Sequence, residues 1–248
     1  MNDGQWIWFE LARLLILFVL YYGLSVLVQR GSLKVNYSRK AVHFAHIISP
    51  LLMNRAFFDY SLDYFIKSGA TTLIFPLIFI EPIRKRVSMI NTLFYCFDRP
   101  EDRPHTVRLS FTQQAAMYFV LVGMAYLYTQ YELNLDLLAV PLMITAFGDG
   151  LAEPVGVRFG KNKYEVKALF TSRTYTRSLE GSSMVTLATI GTLLALQGHF
   201  SSNQLLFLMI YMPFKMTVIE AYAPHTWDNP FLYLVGGLLV FIVKIFII

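Results

Sequence analysis

The residues best suited to chemistry form an acidic, glycine-rich stretch between Phe147 and Lys161. Asp149 and Glu153 are four residues apart, so on a helix both carboxylates lie on one face. Small residues recur at every fourth position, which lets a neighbouring backbone pack closely: Gly148, Ala152, Gly156 and Gly160. Carboxylates beside a glycine-broken helix with a lysine beyond suit a metal–nucleotide site, because Mg²⁺ takes carboxylate oxygens and bridges phosphates. A glycine-rich helix end with solvated acids is the alternative interpretation.

A second stretch combines two arginines with a helix-start pattern. Arg173 and Arg177 precede Ser178, and Gly181 and two serines follow it. This order predicts a helix that begins at Ser178 and presents backbone N–H groups at its first turn. Arginine side chains and helix-end amides both bind phosphate well. A plain helix cap on the cytoplasmic side is the alternative.

Acidic residues also occur late in the chain, within and just after an apolar segment. An ionisable side chain inside a bilayer costs about 2.5–3.5 kcal/mol and usually marks a functional position. We therefore expect a functional role for Glu220 or Asp228. A structural pair between Lys215 and Glu220 is the alternative, although a spacing of five residues is poor for a direct contact along one helix.

A basic, histidine-bearing helix start precedes these stretches. Arg39, Lys40 and His43 fall on one helical face. His43 and His46 have no third well-placed ligand, which argues against zinc. We expect this helix start to face nucleotide or lipid phosphate, and a simple anchor at the membrane interface is the alternative.

The apolar segments that must position these residues predict an integral membrane protein. Of 248 residues, 56% are hydrophobic and only 15% are charged, against about 25% charged in a soluble domain. The single cysteine, Cys96, excludes an internal disulfide. The pattern predicts an all-α, polytopic bundle forming one domain over residues 1–248. About eight segments approach the roughly 20 apolar residues that a spanning helix needs: 6–27, 41–57, 64–80, 113–131, 135–150, 181–196, 205–223 and 231–248.

The basic residues indicate how the chain is oriented. Sixteen of the 21 fall in three loops, near residues 29–40, 81–112 and 157–179. The positive-inside rule places these loops, and with them the candidate site, on the cytoplasmic side. Because the positive charge sits in loops between membrane segments, we expect a lipid bilayer and no nucleic acid as partner.

Together and in order, the four stretches resemble the polyprenol kinase family, which includes phytol, farnesol and dolichol kinases and CTP-dependent diacylglycerol kinases. The resemblance covers roughly residues 36–240. The family's opening R-K-x-x-H helix is matched by Arg39, Lys40 and His43. Its glycine–aspartate block is matched by Gly148, Asp149, Ala152, Gly156, Phe159, Gly160 and Lys161. Its serine–glycine block and its acidic close are matched by Ser178, Glu180, Gly181, Ser182, Glu220, Asp228 and Asn229, with Arg177 where lysine is common.

The resemblance implies a membrane lipid-alcohol kinase. Such an enzyme moves the γ-phosphoryl group of a nucleotide, CTP rather than ATP, onto the hydroxyl of a prenyl alcohol or diacylglycerol with Mg²⁺. Asp149 and Asp228 would be the metal ligands, and both would be catalytic together with Glu220. The nucleotide and its phosphates would be bound by Arg39, Lys40, His43, Gly156, Gly160, Lys161, Arg173, Arg177, Gly181 and Asn229.

Two other functions stay open at this point. The middle blocks also look like those of phosphatidate cytidylyltransferases, which end in an H-G-G-x-x-D-R-x-D-like segment. Here residues 225–229 read His-Thr-Trp-Asp-Asn, without the glycine pair or the second aspartate, which favours a kinase. A small transporter is the non-enzymatic alternative, with Lys215, Glu220 and Asp149 along its pathway.

Overall fold

In the computed structural model the chain folds almost entirely into helices, in agreement with the predicted bundle. The structure describes residues 3–57, 60–169, 174–224 and 227–247. Two compact units share the chain, Met1–Tyr118 and Phe119–Ile248, and the boundary falls within one helix, Thr106–Gln130.

The first unit contains five complete helices and the start of a sixth. Their bounds are α1 Asp3–Gln29, α2 Val35–Phe57, α3 Leu62–Ile74, α4 Glu81–Arg86, α5 Ser88–Phe94 and α6 Thr106–Gln130. A 3₁₀ turn, Phe75–Phe79, extends α3. The core of this unit is aromatic: the ring of Tyr21 stacks on Phe79 at 6.0 Å between centroids.

A buried ionic network lies between α1 and α3. Arg13 is 1% exposed and Glu10 is 4% exposed. Arg13 Nη2 lies 2.6 Å from Glu10 Oε2, and Ser68 Oγ donates to Glu10 Oε1 at 2.8 Å. Thr71 and Thr72 accept hydrogen bonds from the same guanidinium. The network therefore satisfies two charges that would be very costly to bury alone.

The second unit is built on the end of α6, five further helices and one hairpin. The elements are α7 Ala139–Ile144, α8 Gly150–Phe159, β1 Lys163–Lys167, β2 Thr174–Ser178, α9 Leu179–Ala195, α10 Ser202–Tyr222 and α11 Asp228–Phe246. Helix α11 packs closely through its glycine pair: a Cβ on Gly236 would lie 2.9 Å from Pro141, and Tyr128 donates to the Gly237 carbonyl at 2.9 Å.

The hairpin is an element that the prediction missed. Strands β1 and β2 pair antiparallel, with Tyr164 opposite Arg177 and Val166 opposite Tyr175. In β1, charged residues alternate with Tyr164 and Val166, and in β2, small hydroxyl residues alternate with Tyr175 and Arg177. An alternation with a period of two residues is typical of strands. The predicted loop at 157–179 is therefore partly ordered as a small sheet.

Among the described residues, five helical segments are long and apolar enough to cross a membrane, which indicates an integral membrane protein. Helices α2, α6 and α9 lie at three more predicted positions, so a helix occurs at each of the eight. However, α9 has only 17 residues, and α2 and α6 are more polar than a typical span. The five segments are Gly4–Gln29, Leu62–Phe79, Leu135–Phe159, Ser202–Tyr222 and Asp228–Phe246.

Candidate functional site

A cleft of about 430 Å³ in the second unit brings together several of the predicted site residues. Its walls come from α8, the hairpin, the first turn of α9 and the end of α10. Gly156, Gly160, Gly181, Arg177 and Glu220 all line it. Residues from three of the four sequence stretches therefore meet in or beside one cavity.

The glycines of the cleft lie where two helices approach at backbone distance. A Cβ added to Gly156 would lie 2.9 Å from Ser178 Oγ, and one added to Gly181 would lie 2.7 Å from the Ala152 carbonyl oxygen. A Cβ on Gly160 would lie 2.8 Å from Ser178. The stripe of small residues on α8 thus packs against the start of α9, as its four-residue spacing predicts.

The start of α9 has the predicted cap. Ser178 is the N-cap, and its hydroxyl accepts a hydrogen bond from the Gly181 N–H at 3.1 Å. In the first turn, Ser182 Oγ lies 2.6 Å from the Tyr164 hydroxyl of β1. Ser178 and Ser182 both line the cleft. The N-terminus of α9, which favours anions, therefore opens onto the cavity.

Arg177 forms an ion pair with Glu220 across the cleft. Arg177 Nη1 lies 2.8 Å from Glu220 Oε1, and Nη2 donates to the Glu220 backbone carbonyl at 3.3 Å. The Glu220 side chain is 1% exposed and that of Arg177 is 24% exposed. Glu220 is buried and pairs with Arg177, whereas Lys215, the alternative partner considered from the sequence, is exposed on α10.

Three carboxylates act on the Arg177 guanidinium. Burial by itself would lower the pKa of Arg177, but the charges of Glu220, Asp228 and Asp149 outweigh burial and raise this pKa above its usual value. These acids come from α10, from the start of α11 and from the segment between α7 and α8. Asp149 and Asp228 therefore both act on Arg177, although three helices and the hairpin separate them along the chain.

Asp149 ends a π-helical turn, Thr145–Asp149, that joins α7 to α8. The prediction of a helix broken at this point is wrong: the segment Leu135–Phe159 continues through the glycines as one span. Asp149 is only 4% exposed, and a Cβ on Gly148 would lie 3.2 Å from the Val185 backbone. Short π-helical insertions often occur at functional sites because they redirect side chains locally.

Asp228 and Asn229 begin helix α11. The Asn229 N–H donates to Asp228 Oδ1 at 3.1 Å, and Asn229 is 5% exposed. A carboxylate in the first turn of a helix is stabilised by the free N–H groups and the helix dipole. Neither residue is among the described residues that line the cleft.

Two of the residues predicted to bind phosphate, Lys161 and Arg173, lie near or within the hairpin segment of the chain. Lys161 is exposed and is not among the described residues that line the cleft, whereas Lys163, two positions later, lines it. Arg173 lies outside the described residues. The sequence prediction did not include Lys163, Thr176 or Ser182 as site residues. Recognition of the hairpin, which brings Lys163 opposite Ser178, is the signal that identifies them.

The basic helix start lies in the first unit. Arg39, Lys40 and His43 occupy the second and third turns of α2. Lys40 is 4% exposed, and the His43 ring meets Phe44 edge to face at 6.1 Å. The three residues therefore lie close together on one helix, as predicted.

Within the described ranges, no group of three or more histidine, cysteine, aspartate or glutamate side chains is arranged to hold a metal ion. In nucleotide sites Mg²⁺ is commonly held by one or two carboxylates together with the substrate phosphates. Asp149 and Asp228 are two carboxylates whose charges both raise the pKa of Arg177, and neither is among the described residues that line the cleft. Their chemistry fits a metal that arrives with a nucleotide.

No family model, curated protein or solved structure matches the chain. The resemblance carried by the four motifs stays a prediction.

Proposed function

We propose that this protein is a membrane lipid-alcohol kinase that moves the γ-phosphoryl group of a Mg²⁺-bound nucleotide onto the hydroxyl of a prenyl alcohol or diacylglycerol. CTP is the proposed donor, by the resemblance of the motifs. The observation that supports the proposal best is the cleft at the α8–α9 junction, where Lys163 and Arg177 lie beside the start of α9 and the buried Glu220.

Phosphate binding is the first task that the cleft residues suit. Gly156 and Gly160 pack against Ser178 and so bring the wall formed by α8 close to the start of α9. Arg177 and Lys163 offer cationic donors, and the N-terminal end of α9, whose helix dipole favours anions, forms part of the cleft wall. These interactions neutralise charge on a nucleotide triphosphate, which is the main requirement of phosphoryl transfer.

Metal binding and proton transfer are the second task, which falls to the acidic residues. Asp149 and Asp228 would hold the Mg²⁺ that accompanies the nucleotide, and this ion would stabilise charge on the phosphates. Asp228 would also accept the proton of the lipid hydroxyl. The alcohol oxygen then forms a bond to the γ-phosphorus, the bond from that phosphorus to the β–γ bridging oxygen breaks, and a nucleoside diphosphate leaves.

The membrane defines how the acceptor reaches the site. A prenyl alcohol or diacylglycerol keeps its tail in the bilayer and enters sideways between helices, with its hydroxyl at the cytoplasmic interface. The excess of basic residues in the loops supports this orientation. By the resemblance, Arg39, Lys40 and His43 also bind phosphate, and that part of the proposal rests on the motif alone.

A labelling assay tests the proposal. Purified protein is incubated with Mg²⁺, γ-labelled CTP or ATP, and phytol, farnesol, dolichol or diacylglycerol. The proposal expects label in the organic phase and nucleoside diphosphate in the aqueous phase. Asp136→Asn serves as a matched control that retains activity, because Asp136 lies at the opposite end of the same span, Leu135–Phe159.

Other outcomes identify other functions. Pyrophosphate release with label from α-labelled CTP in the lipid would contradict the kinase and indicate a phosphatidate cytidylyltransferase. Absence of transfer with every acceptor, together with substrate flux into liposomes without nucleotide, would contradict both enzymes and indicate a transporter.

A further inference from the structure

Glu220 contacts Arg177 with two different groups. Its carboxylate pairs with Nη1 at 2.8 Å, and its backbone carbonyl accepts from Nη2 at 3.3 Å. The guanidinium is planar, so contacts at both terminal nitrogens set the orientation of the whole group. Arg177 is therefore held at the end of α10 in one direction.

Glu220 and Arg177 differ in burial, as expected if one side chain holds the other in place. Glu220 is almost fully buried, at 1% exposure, while Arg177 keeps 24% of its side chain exposed at the cleft. The carboxylate is thus enclosed by protein, while part of the Arg177 side chain stays exposed at the cleft. A carboxylate this deeply buried depends on its partner, because an unpaired buried charge is strongly unfavourable.

The hairpin also has attachments that do not use this pair. The Leu169 N–H donates to the Tyr222 carbonyl at 2.9 Å, and the Leu179 N–H donates to the Asn162 carbonyl at 2.9 Å. Tyr164 meets Ser182 at 2.6 Å. The ion pair is therefore one of several contacts that fix the hairpin, and its specific effect is on the direction of Arg177.

We infer that Glu220 is a positioning residue: it directs the Arg177 guanidinium toward phosphate in the cleft and does not itself take the substrate proton. This inference rests on the proposed function, in that it takes the cleft as the site of the nucleotide phosphates. It replaces the catalytic role that the sequence resemblance implies for Glu220.

Kinetic measurements on variants test the positioning role of Glu220, because KM and kcat should respond differently. In Glu220→Gln, Arg177 loses its charged partner, and we expect the KM for the nucleotide to rise about threefold to tenfold, as for a weakened charged hydrogen bond, with kcat close to that of the unchanged protein. In the double variant Glu220→Gln with Arg177→Ala, KM should be no higher than in Arg177→Ala alone, because both changes act through one interaction. Unchanged KM with a large loss of kcat, or additive effects in the double variant, would overturn the inference.

A direct binding measurement separates this inference from the proposed function. Calorimetric titration of the detergent-solubilised protein with inorganic tripolyphosphate should show binding that weakens in Glu220→Gln. If Glu220→Gln does not fold, Glu220→Asp replaces it in the experiment. This variant keeps the charge but shortens the side chain, so it should bind tripolyphosphate more weakly than the unchanged protein. Asp136→Asn, at the opposite end of the segment Leu135–Phe159, is the control and should bind as the unchanged protein does.

The two possible failures look different. If the unchanged protein phosphorylates no lipid alcohol but binds tripolyphosphate in a Glu220-dependent way, the kinase proposal is wrong and the positioning role holds. If lipid phosphorylation is observed and Glu220→Gln leaves both KM and tripolyphosphate affinity unchanged, the positioning role is wrong.

Discussion

Gly181 of α9 lies so close to Ala152 of α8 that an added Cβ would be 2.7 Å from the Ala152 carbonyl oxygen. The atom in the way is backbone, so it cannot move without shifting a helix. The cleft therefore depends on the absence of a side chain at Gly181.

Gly181→Ala should for this reason destabilise the protein by about 1–3 kcal/mol, the usual range for overpacking. Thermal unfolding in detergent measures the change. Gly191→Ala is the matched control in the same helix, since no atom lies within 4 Å of its added Cβ, and its stability should be unchanged or slightly higher. Equal unfolding temperatures for the two variants would contradict the close packing.

Asp149→Asn should abolish lipid phosphorylation while the protein stays folded. The amide keeps the size of the side chain but removes the charge that would hold Mg²⁺, a contribution of several kcal/mol, so turnover should fall at least about a hundredfold. Product label in the organic phase measures the rate, and size-exclusion chromatography checks folding. A near-normal rate would remove Asp149 from the site.

Arg177→Ala should raise the KM for the nucleotide, because it removes a charged donor from the cleft. Hydrogen bonds to charged groups contribute about 1.5–3 kcal/mol, which corresponds to an increase of about tenfold to a hundredfold. Initial rates over a range of nucleotide concentrations measure it. Lys161→Ala provides a comparison: the sequence resemblance predicts a raised KM, whereas its exposed position outside the cleft lining predicts little change.

Glu10→Ala should destabilise the first unit strongly, because it leaves Arg13 buried without its carboxylate. Breaking a buried ion pair costs about 3–5 kcal/mol, which thermal unfolding in detergent would register. Replacing both residues, as in Glu10→Leu with Arg13→Met, should restore much of the stability, since no charge is then left unpaired.

The exposed pair Glu81–Lys85, 2.6 Å apart in α4, gives the control for that experiment. Glu81→Ala should leave the unfolding temperature unchanged, because a solvent-exposed ion pair stabilises little. If the unfolding temperature fell no more in Glu10→Ala than in Glu81→Ala, the buried network would stabilise the protein no more than an exposed ion pair does.

Features that depend on neighbouring residues were predictable from the sequence. Apolar runs locate a helix at each predicted span, because spanning segments must satisfy their own backbone hydrogen bonds. The cap at Ser178 and the small-residue stripe of α8 also follow from local spacing. The hairpin was predictable in principle from its alternating residues, but the basic character of this loop favoured an interpretation as unstructured.

The tertiary structure decided the features that join distant residues. Arg177 and Glu220 are 43 positions apart, and no periodicity relates a strand residue to the end of a later helix. Lys163, and not Lys161, lines the cleft because the pairing of β1 with β2 sets Lys163 opposite Ser178. The close approach of Gly148, in the π-helical turn, to Val185 of α9 likewise joins two distant parts of the chain. Local spacing determines which face of an element a residue occupies, whereas only the packing of several elements determines which charges become neighbours.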